Sequence, residues 1–327
     1  MKKMIFTLTA ILACIPFLSQ GQATSQETPK GQAILQFFGN FHSGFGSTRN
    51  DRGFELDRSY VGYQYNLGEG LEIKGVMDIG QSNDIEDYQR IAYIKLAQIT
   101  WKTGDWILQG GLIPTTQVAF QDKFWGHRYI WKTFQDRYKF GNSADLGVSA
   151  SYQFTEWISA DATILNGEGF KKIQTNDGLL YGVGTTITPL KGLHIRIYGS
   201  LNEGYQENEK DILNLATLIG YQGKFFSAGI EYNAIQNYDN QDDKNLSGYS
   251  VYGIVTLNPK TEIYARLDDL YSKADWNKAK DETALIAGMQ FKLGKYVKLA
   301  PNFQMYIPKS KNADNTYAAY INFSFSL

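Results

Sequence analysis

The sequence predicts an all-β fold, a transmembrane antiparallel β-barrel of about 16 strands. Three observations support it. Apolar and polar residues alternate with a period of two along most of the chain after residue 30, and the connections between these segments are short and long in turn. Each segment is also close to the ~9–11 residues with which a tilted strand crosses a bilayer. Alternation alone also describes a soluble sandwich, so the connection lengths decide for the membrane barrel.

Composition narrows the function classes. The chain has 327 residues, 43% of them hydrophobic and 14% aromatic, with 32 Gly and 22 Tyr. This composition suits strands and turns better than helices. The formal net charge of −1 is too balanced to indicate a nucleic-acid partner, and no nucleic-acid motif is present.

Residues 1–21 are predicted to be a cleaved signal peptide, which leaves residues 22–327 as one barrel domain. Met1–Lys3 is basic, residues 4–18 are apolar, and Ser19–Gly21 is a small-x-small cleavage site. The alternative is a lipidated Cys14, but its Ile-Leu-Ala context matches a lipobox poorly. Cys14 is the single cysteine, so the mature chain has no disulfide.

The predicted strands each carry one apolar face, assigned to the lipid, and one polar face, assigned to the lumen. Four of the early outward sets are Leu35/Phe37/Phe41, Val61/Tyr63/Tyr65, Leu71/Ile73/Met77/Ile79 and Ala92/Ile94/Leu96. Later ones are Trp106/Leu108/Leu112, Leu146/Val148/Tyr152/Phe154, Ile158/Ala160/Ala162/Ile164, Leu193/Ile195/Ile197, Leu213/Leu215/Ile219/Tyr221, Phe226/Ala228/Ile230/Tyr232, Ile263/Ala265/Leu267 and Leu285/Ala287/Met289/Phe291.

The connections fall into the two classes of an outer-membrane barrel, short periplasmic turns and long external loops. The short connections are Asn66–Gly70, Lys102–Asp105, Phe154–Glu156, Pro189–Gly192, Gln222–Lys224, Asn258–Thr261 and Leu293–Tyr296. The long ones are His42–Gly53, Gly80–Gln89, Pro114–Gly141, Asn166–Gly178, Asn202–Asp211, Asn237–Leu246, Tyr271–Glu282 and Pro308–Asn315.

The end of the chain carries the clearest local pattern. Its alternation runs to the last residue, through Tyr317, Ala319, Ile321, Phe323, Phe325 and Leu327. This strand resembles the C-terminal signal that the barrel-assembly machinery recognises, with Leu in the place of the usual terminal Phe.

The segment Pro114–Gly141 breaks the β pattern. It is long, aromatic and basic, and it lacks sustained alternation. A long irregular segment inside a regular domain is usually functional or disordered, and eight aromatic residues argue against disorder. The sequence therefore predicts that this segment folds back into the mouth of the barrel and controls what passes.

Several short stretches together resemble the phosphate-selective porin O and P family, in its Bacteroidetes form. They are RSYVGY (58–63), GLIP (111–114), WGHRY (125–129), DRY (136–138), ADLGV (144–148) and NGEGF (166–170). The resemblance spans most of the mature chain. It implies a 16-stranded outer-membrane barrel, usually a homotrimer, whose third external loop folds inward and constricts the pore. By position, Pro114–Gly141 is that loop.

The candidate pathway residues are basic. They are Lys123, Arg128, Lys132, Arg137 and Lys139 of the long segment, and Arg58, Lys74, Arg196 and Arg266 of the lumen wall. Acidic residues share the predicted lumen, a mixture that departs from the dense arginine ladder of phosphate-specific members: Glu72, Asp78, Asp145, Asp161, Glu231 and Asp268. Two interpretations stay open. The basic residues of the segment either attract anions at the constriction, or pair with Asp145, Asp161 and other wall acids and hold the loop in place.

The expected function is a water-filled outer-membrane channel for passive diffusion of small hydrophilic solutes, with anions such as phosphate as candidates. The expected surroundings are outer-membrane lipid and lipopolysaccharide of a Gram-negative bacterium. A non-conducting structural or adhesion barrel is the first rival. A barrel hydrolase is the second, but only three histidines exist (His42, His127 and His194) and no G-x-S-x-G stretch accompanies them. No His/Cys metal cluster is present in the sequence, so no cofactor is predicted.

Overall fold

The computed structural model describes residues 30–81, 90–174 and 176–327. Sixteen antiparallel strands form a closed barrel in which each strand pairs with its sequence neighbours and β1 pairs with β16. The predicted fold class is confirmed. The predicted signal peptide and residues 82–89 of the second external loop lie outside the described residues.

The strands are of unequal length. Their bounds are β1 Lys30–Gly46, β2 Arg52–Gly68, β3 Leu71–Gln81, β4 Arg90–Thr103, β5 Trp106–Pro114, β6 Ala144–Thr155, β7 Ile158–Leu165, β8 Leu180–Leu190, β9 Leu193–Asn202, β10 Ile212–Gln222, β11 Phe226–Gln236, β12 Leu246–Asn258, β13 Thr261–Ser272, β14 Glu282–Leu293, β15 Val297–Pro308 and β16 Thr316–Ser326. Between β5 and β6 lie α1 Thr116–Trp125 and α2 Phe134–Arg137, and two 3-10 turns occupy Tyr238–Asn240 and Lys273–Asp275. Of the helices in the described part, none is long and apolar enough to cross a membrane.

The barrel closes where the two ends of the chain meet. β1 and β16 pair from Gln36 opposite Ser326 to Gly46 opposite Thr316, and the Gln36 amide donates a 3.0 Å hydrogen bond to the Ser326 hydroxyl. Closure satisfies the backbone groups that a sheet edge would leave unpaired, which a bilayer core does not tolerate.

Side chains alternate between the two faces of the barrel wall as predicted. Ile219 and Ile230 lie side by side on the outer face and are 51% and 54% exposed, because only lipid would cover them. Asn233 and Asp268 point inward and are fully buried. The apolar outer face is the surface that a bilayer requires.

The first external loop is shorter than predicted. The long connection His42–Gly53 is wrong, because β1 ends at Gly46 and β2 begins at Arg52, and residues 47–51 alone form the loop. Pairing continues as far as Ser43 opposite Arg52. The rings of Phe41 and Phe54, 4.8 Å apart, pack on the outer face of this extension.

Leu96 faces the lumen and not the lipid, which corrects the predicted facing of that strand. Met77 pairs with Ile94 and Val76 with Leu96, so Lys95 is an extra residue on β4. A β-bulge of this kind shifts the alternation by one residue. Lys95 therefore points inward as expected, and Leu96, buried in the same cluster as Val76, does so too.

The lumen is also less polar than predicted. Leu218, Ile254 and Ile286 point inward and are buried, although an apolar side chain facing a water-filled channel would be costly. They are covered by aromatic residues of the segment between β5 and β6. We call this segment, residues 115–143, the third loop.

Candidate functional site: the constriction at the third loop

The third loop contains the main helix of the protein. α1 begins at Thr116, after the N-cap residue Thr115, and is capped at its end by Gly126, whose φ of 71° is the left-handed conformation common at helix ends. The N–H of Gly126 donates to the carbonyl of Asp122 at 2.9 Å. Gln117, Val118, Gln121, Phe124 and Trp125 form the buried face of α1. The predicted inward-folded third loop is confirmed.

Two lumen-facing glycines receive aromatic rings of the loop. Phe124 lies against Gly220 of β10, and Phe134 lies against Gly248 of β12, so closely that a Cβ at either glycine would overlap the ring. Phe134 is fully buried and Phe124 is 4% exposed. The close approach requires the absence of a side chain at both positions.

Amide and carboxyl side chains of the wall fix the loop by hydrogen bonds. Each bond joins residues far apart in sequence, between the loop and β10, β11, β14 or β15. They are Gln121 to Glu231 at 2.7 Å, Gln135 to Asn214 at 3.0 Å and to Asn233 at 2.9 Å, Tyr129 to Gln290 at 2.9 Å, and Trp131 to Gln304 at 2.9 Å. Buried bonds of this sort specify one loop position, because an unmade partner would be left unsatisfied.

Arg128 is held by carboxylates of its own loop. Its guanidinium contacts Asp122 at 2.5 Å and Asp136 at 2.7 Å. Burial raises the pKa of Asp122. For Asp136 burial acts in the same direction, but the charges of Arg128 and Lys132 outweigh it and its pKa is lowered. The predicted partners for the loop, Asp145 and Asp161, are engaged elsewhere.

Those two wall acids have local roles. Asp145 accepts hydrogen bonds from the backbone N–H groups of Leu146, at 2.8 Å, and Gly167, at 2.7 Å. Asp161 pairs with Arg196 at 2.7 Å. The loop is therefore tied to the wall through other residues.

Arg137 and Arg266 connect the loop to the far wall. Arg137 pairs with Glu282 of β14 at 3.1 Å, and its guanidinium lies 4.0 Å from the centre of the Trp131 ring. Arg266 is 1% exposed, pairs with Asp268, and donates to the backbone carbonyl of Lys132 at 3.0 Å. The guanidinium of Arg266 therefore binds the loop backbone and a carboxylate of its own strand.

The remaining wall cations differ in their surroundings. Arg196 is 3% exposed and donates to the side-chain oxygen of Gln117 in α1 at 2.8 Å as well as to Asp161. Arg58 pairs with Asp78 at 2.6 Å and is 21% exposed. Lys74 is half-buried on the lumen face of β3, level with Gln64 and Gln98.

The lysines of the loop are more open to water than its arginines. Lys123 and Lys139 are exposed. Lys132 is 42% exposed and lies 3.7 Å from Asp136, the carboxylate that Arg128 contacts more closely. Burial lowers the pKa of Lys132, as do the nearby charges of Arg58 and Arg128. Of the two cations that contact Asp136, Lys132 is therefore paired less tightly than Arg128.

A cavity of about 320 Å³ separates the loop from the wall formed by β1, β2, β15 and β16. We call it the constriction cavity. The loop contributes Arg128, Lys132 and Arg137, and the wall contributes Arg58 together with Glu55 and Asp57. Charges of both signs therefore line one cavity between the loop and the wall.

Glu55, Asp57 and Lys95 are pathway candidates that the sequence analysis did not select. The sequence stretch FELD (54–57) alternates apolar and acidic residues, a strand signal that lies between the predicted loop His42–Gly53 and the predicted strand beginning at Arg58. The structure extends β2 through it and places both carboxylates on the cavity. Lys95 was predicted to face the lumen, and its ammonium donates to the Tyr60 hydroxyl at 3.0 Å.

Each histidine ring contacts oxygen atoms of other residues, and the Nε2 atoms of His42 and His127 lie 3.1 Å from Asp51 and 3.4 Å from Glu262. Nδ1 of His42 contacts the Asn40 amide oxygen at 3.0 Å, and Nδ1 of His127 contacts the Trp125 carbonyl at 3.0 Å. Nδ1 of His194 contacts the Thr188 hydroxyl at 3.1 Å. Within residues 30–81, 90–174 and 176–327, no group of three or more His, Cys, Asp or Glu side chains is placed to hold a metal ion.

Comparison with protein-family models finds no match, and comparison with curated proteins finds none either. Solved structures do match. OprB of Pseudomonas putida has a TM-score of 0.72 and 11% identity over 91% of this chain and 94% of that one. The anion-selective porin of Comamonas acidovorans has a TM-score of 0.65 and 12% identity over 92% and 100%. A trimer form of OmpT, an outer-membrane protein of Vibrio cholerae, has 0.61 and 15% over 92% and 100%. This chain has the fold of outer-membrane porins.

Proposed function

We propose that this chain is an outer-membrane porin, a water-filled channel for passive diffusion of small hydrophilic solutes. The observation that carries the proposal is the constriction cavity: an inward-folded loop, fixed to the wall, leaves a cavity lined by charged side chains. Passive conduction is favoured over catalysis because the histidines contact carboxylate, amide, backbone or threonine oxygens, and no serine nucleophile is among these contacts in the described residues.

More specifically, we propose a porin of the phosphate-selective O and P type in a Gram-negative outer membrane. Residues 1–21 would be cleaved as a signal peptide during export. The short sequence stretches that resemble this family, their order along the chain and the position of the third loop support this assignment. We propose that β16 is recognised by the barrel-assembly machinery, that the outer face contacts membrane lipid and lipopolysaccharide, and that the working unit is a homotrimer. The trimer form of the similar OmpT structure supports the last point.

We further propose a modest preference for anions, phosphate among them. Lys132 is the part of the loop that offers a positive charge to the passage, and Lys123 and Lys139 add to it from exposed positions. Arg128, Arg137 and Arg58 line the cavity with their carboxylate partners close by, which limits the preference. Arg196 and Arg266 would act through the loop that they hold. Lys74 would contribute on the periplasmic side.

Reconstitution in a planar bilayer tests both parts. Stepwise single-channel currents are expected, and the reversal potential in a potassium chloride gradient should show anion preference. That preference should fall in Lys132→Gln and in the triple variant Arg128→Gln/Lys132→Gln/Arg137→Gln. Lys311→Gln, at an exposed external position, is the matched control and should behave as wild type.

Three outcomes would contradict the proposal. A folded, inserted chain that never conducts would favour a structural or adhesion barrel. Hydrolytic activity lost on replacement of His194 would favour an enzyme. A wild-type channel that prefers cations would retain the porin and remove the anion preference.

A further inference from the structure

The constriction cavity carries basic side chains on its loop side, and on its wall side two carboxylates lie beside Arg58. Arg128 and Lys132 belong to the loop, and Glu55 and Asp57 belong to β2. A purely anionic solute would be attracted by one side and repelled by the other. A solute with one charge of each sign could satisfy both sides at once.

The acidic side is built by the local structure of β2. Phe38 pairs with Arg58 and Gly39 pairs with Leu56, so Asp57 is an extra residue in the strand. This bulge lets Asp57 point inward beside Arg58, as Glu55 does by ordinary alternation. Bulges re-aim side chains in this way at functional sites.

Asn40 orients both carboxylates. Its amide nitrogen donates to Asp57 at 3.0 Å and to Glu55 at 3.4 Å, and Asn40 itself is 4% exposed. Its amide oxygen is occupied by His42 Nδ1 at 3.0 Å, which fixes the amide with its donor side toward the acids. Among the described residues, neither carboxylate forms an ion pair, while Arg58 beside them is taken by Asp78.

On the loop side of the cavity, Lys132 is the cation that remains available among the described residues. Arg128 is occupied by Asp122 and Asp136, and Arg137 by Glu282. Lys132 shares Asp136 at the longer distance of 3.7 Å and keeps 42% of its side chain exposed. An incoming carboxylate could therefore bind the Lys132 ammonium without breaking a close pair.

We propose that the constriction cavity selects zwitterionic solutes, of the class of amino acids and short peptides. The solute ammonium lies toward Glu55 and Asp57, and its carboxylate lies toward Lys132. The inference rests on the proposed channel function and specifies its substrate class. Binding on both sides is weak enough for release, since each contact resembles a partly exposed ion pair.

Swelling of proteoliposomes in matched solutes tests this. Dialanine is a zwitterion, N-acetylalaninamide is neutral and smaller, and N-acetylalanine is an anion. Wild type should admit dialanine about two- to fivefold faster than N-acetylalaninamide, the range expected from exposed ion pairs. Because the neutral solute is smaller, size cannot produce that order.

Two variants identify the charges involved. Glu55→Gln/Asp57→Asn should bring the dialanine to N-acetylalaninamide ratio close to one and should speed N-acetylalanine. Lys132→Gln should lower the ratio and slow N-acetylalanine. Asp314→Asn, an exposed external position, is the control and should keep the wild-type ratio. A heat-modifiable gel band for each variant confirms a folded barrel.

The failures are distinguishable. Wild-type entry of N-acetylalaninamide at the dialanine rate, fastest entry by N-acetylalanine, or an unchanged ratio in the Glu55/Asp57 variant would overturn the inference and leave the channel intact. Entry of none of the three solutes would overturn the proposed channel function as well.

Discussion

Arg266 and Asp268 lie two residues apart on β13 and form a two-pronged ion pair, with Nε to Oδ1 and Nη2 to Oδ2 both at 2.8 Å. Both side chains are almost fully buried. The remaining guanidinium nitrogen, Nη1, donates to the Lys132 carbonyl at 3.0 Å. The pair therefore makes a charged side chain of the wall into a fixed donor for the loop.

Replacing Asp268 by Asn should destabilise the barrel. The change leaves the Arg266 charge buried without its partner, and removing one member of a buried pair costs about 3–5 kcal/mol. Urea unfolding followed by tryptophan fluorescence would measure it. Asp243→Asn is the control, because that carboxylate is 85% exposed and 3.5 Å from Lys273, and its loss should cost less than about 1 kcal/mol. Equal unfolding midpoints for the two variants would show that the buried pair is hydrated.

A methyl group at Gly248 should loosen the third loop. Ala in place of Gly248 would overlap the buried ring of Phe134 and the backbone oxygen of Asp269 on β13, so both the loop and the strand pairing would have to adjust. Trypsin cleavage within the loop should be faster than in wild type, because cleavage requires local opening. Gly75→Ala is the control, since a Cβ at Gly75 meets no atom within 4 Å. Cleavage at the wild-type rate in Gly248→Ala would mean that Phe134 does not anchor the loop.

The proposed anion preference should weaken at alkaline pH. Burial and the charges of Arg58 and Arg128 lower the pKa of Lys132, so its ammonium loses a proton below the pH at which an ordinary lysine does. Deprotonation removes positive charge, so anion preference should fall over a pH range below the ordinary lysine pKa of about 10.4. Reversal potentials across this range would measure it. Lys132→Arg should keep its preference, because the guanidinium stays charged. Parallel loss in both proteins would assign the titration to another group.

A charge on the outer face should impair the barrel more than the same charge in the lumen. Ile230 lies on the outer face between Ile219 and Val251, and Ile230→Arg should cost about 2–4 kcal/mol if it lies near the bilayer midplane. Gln64→Arg is the control, because the lumen side chain of Gln64 already contacts Glu72 at 2.8 Å and an arginine could pair there. The folded fraction on unboiled gels would compare them. Equal yields would mean that Ile230 does not face lipid.

Much of the fold could be predicted from the sequence because its signals are local. The period of two places each side chain on one face, and Ile219 and Asp268 lie where it predicts. The sequence pattern predicted the wrong side-chain facing or strand bounds where the period of two is interrupted or extended. The bulge at Lys95 turned Leu96 inward, and the extension of β1 to Gly46 and of β2 back to Arg52 shortened the first loop.

The sequence by itself determined the barrel, the location of the constricting loop and its excess of basic residues. Only the tertiary structure decided which of those charges are neutralised and which remain available. Gln121 and Glu231 are 110 positions apart, and Arg137 reaches Glu282 over 145. Barrel closure brings such residues within hydrogen-bond distance across the lumen. The electrostatics of a pore depend on that distance, because the energy of a charge pair falls with separation and rises with exclusion of water.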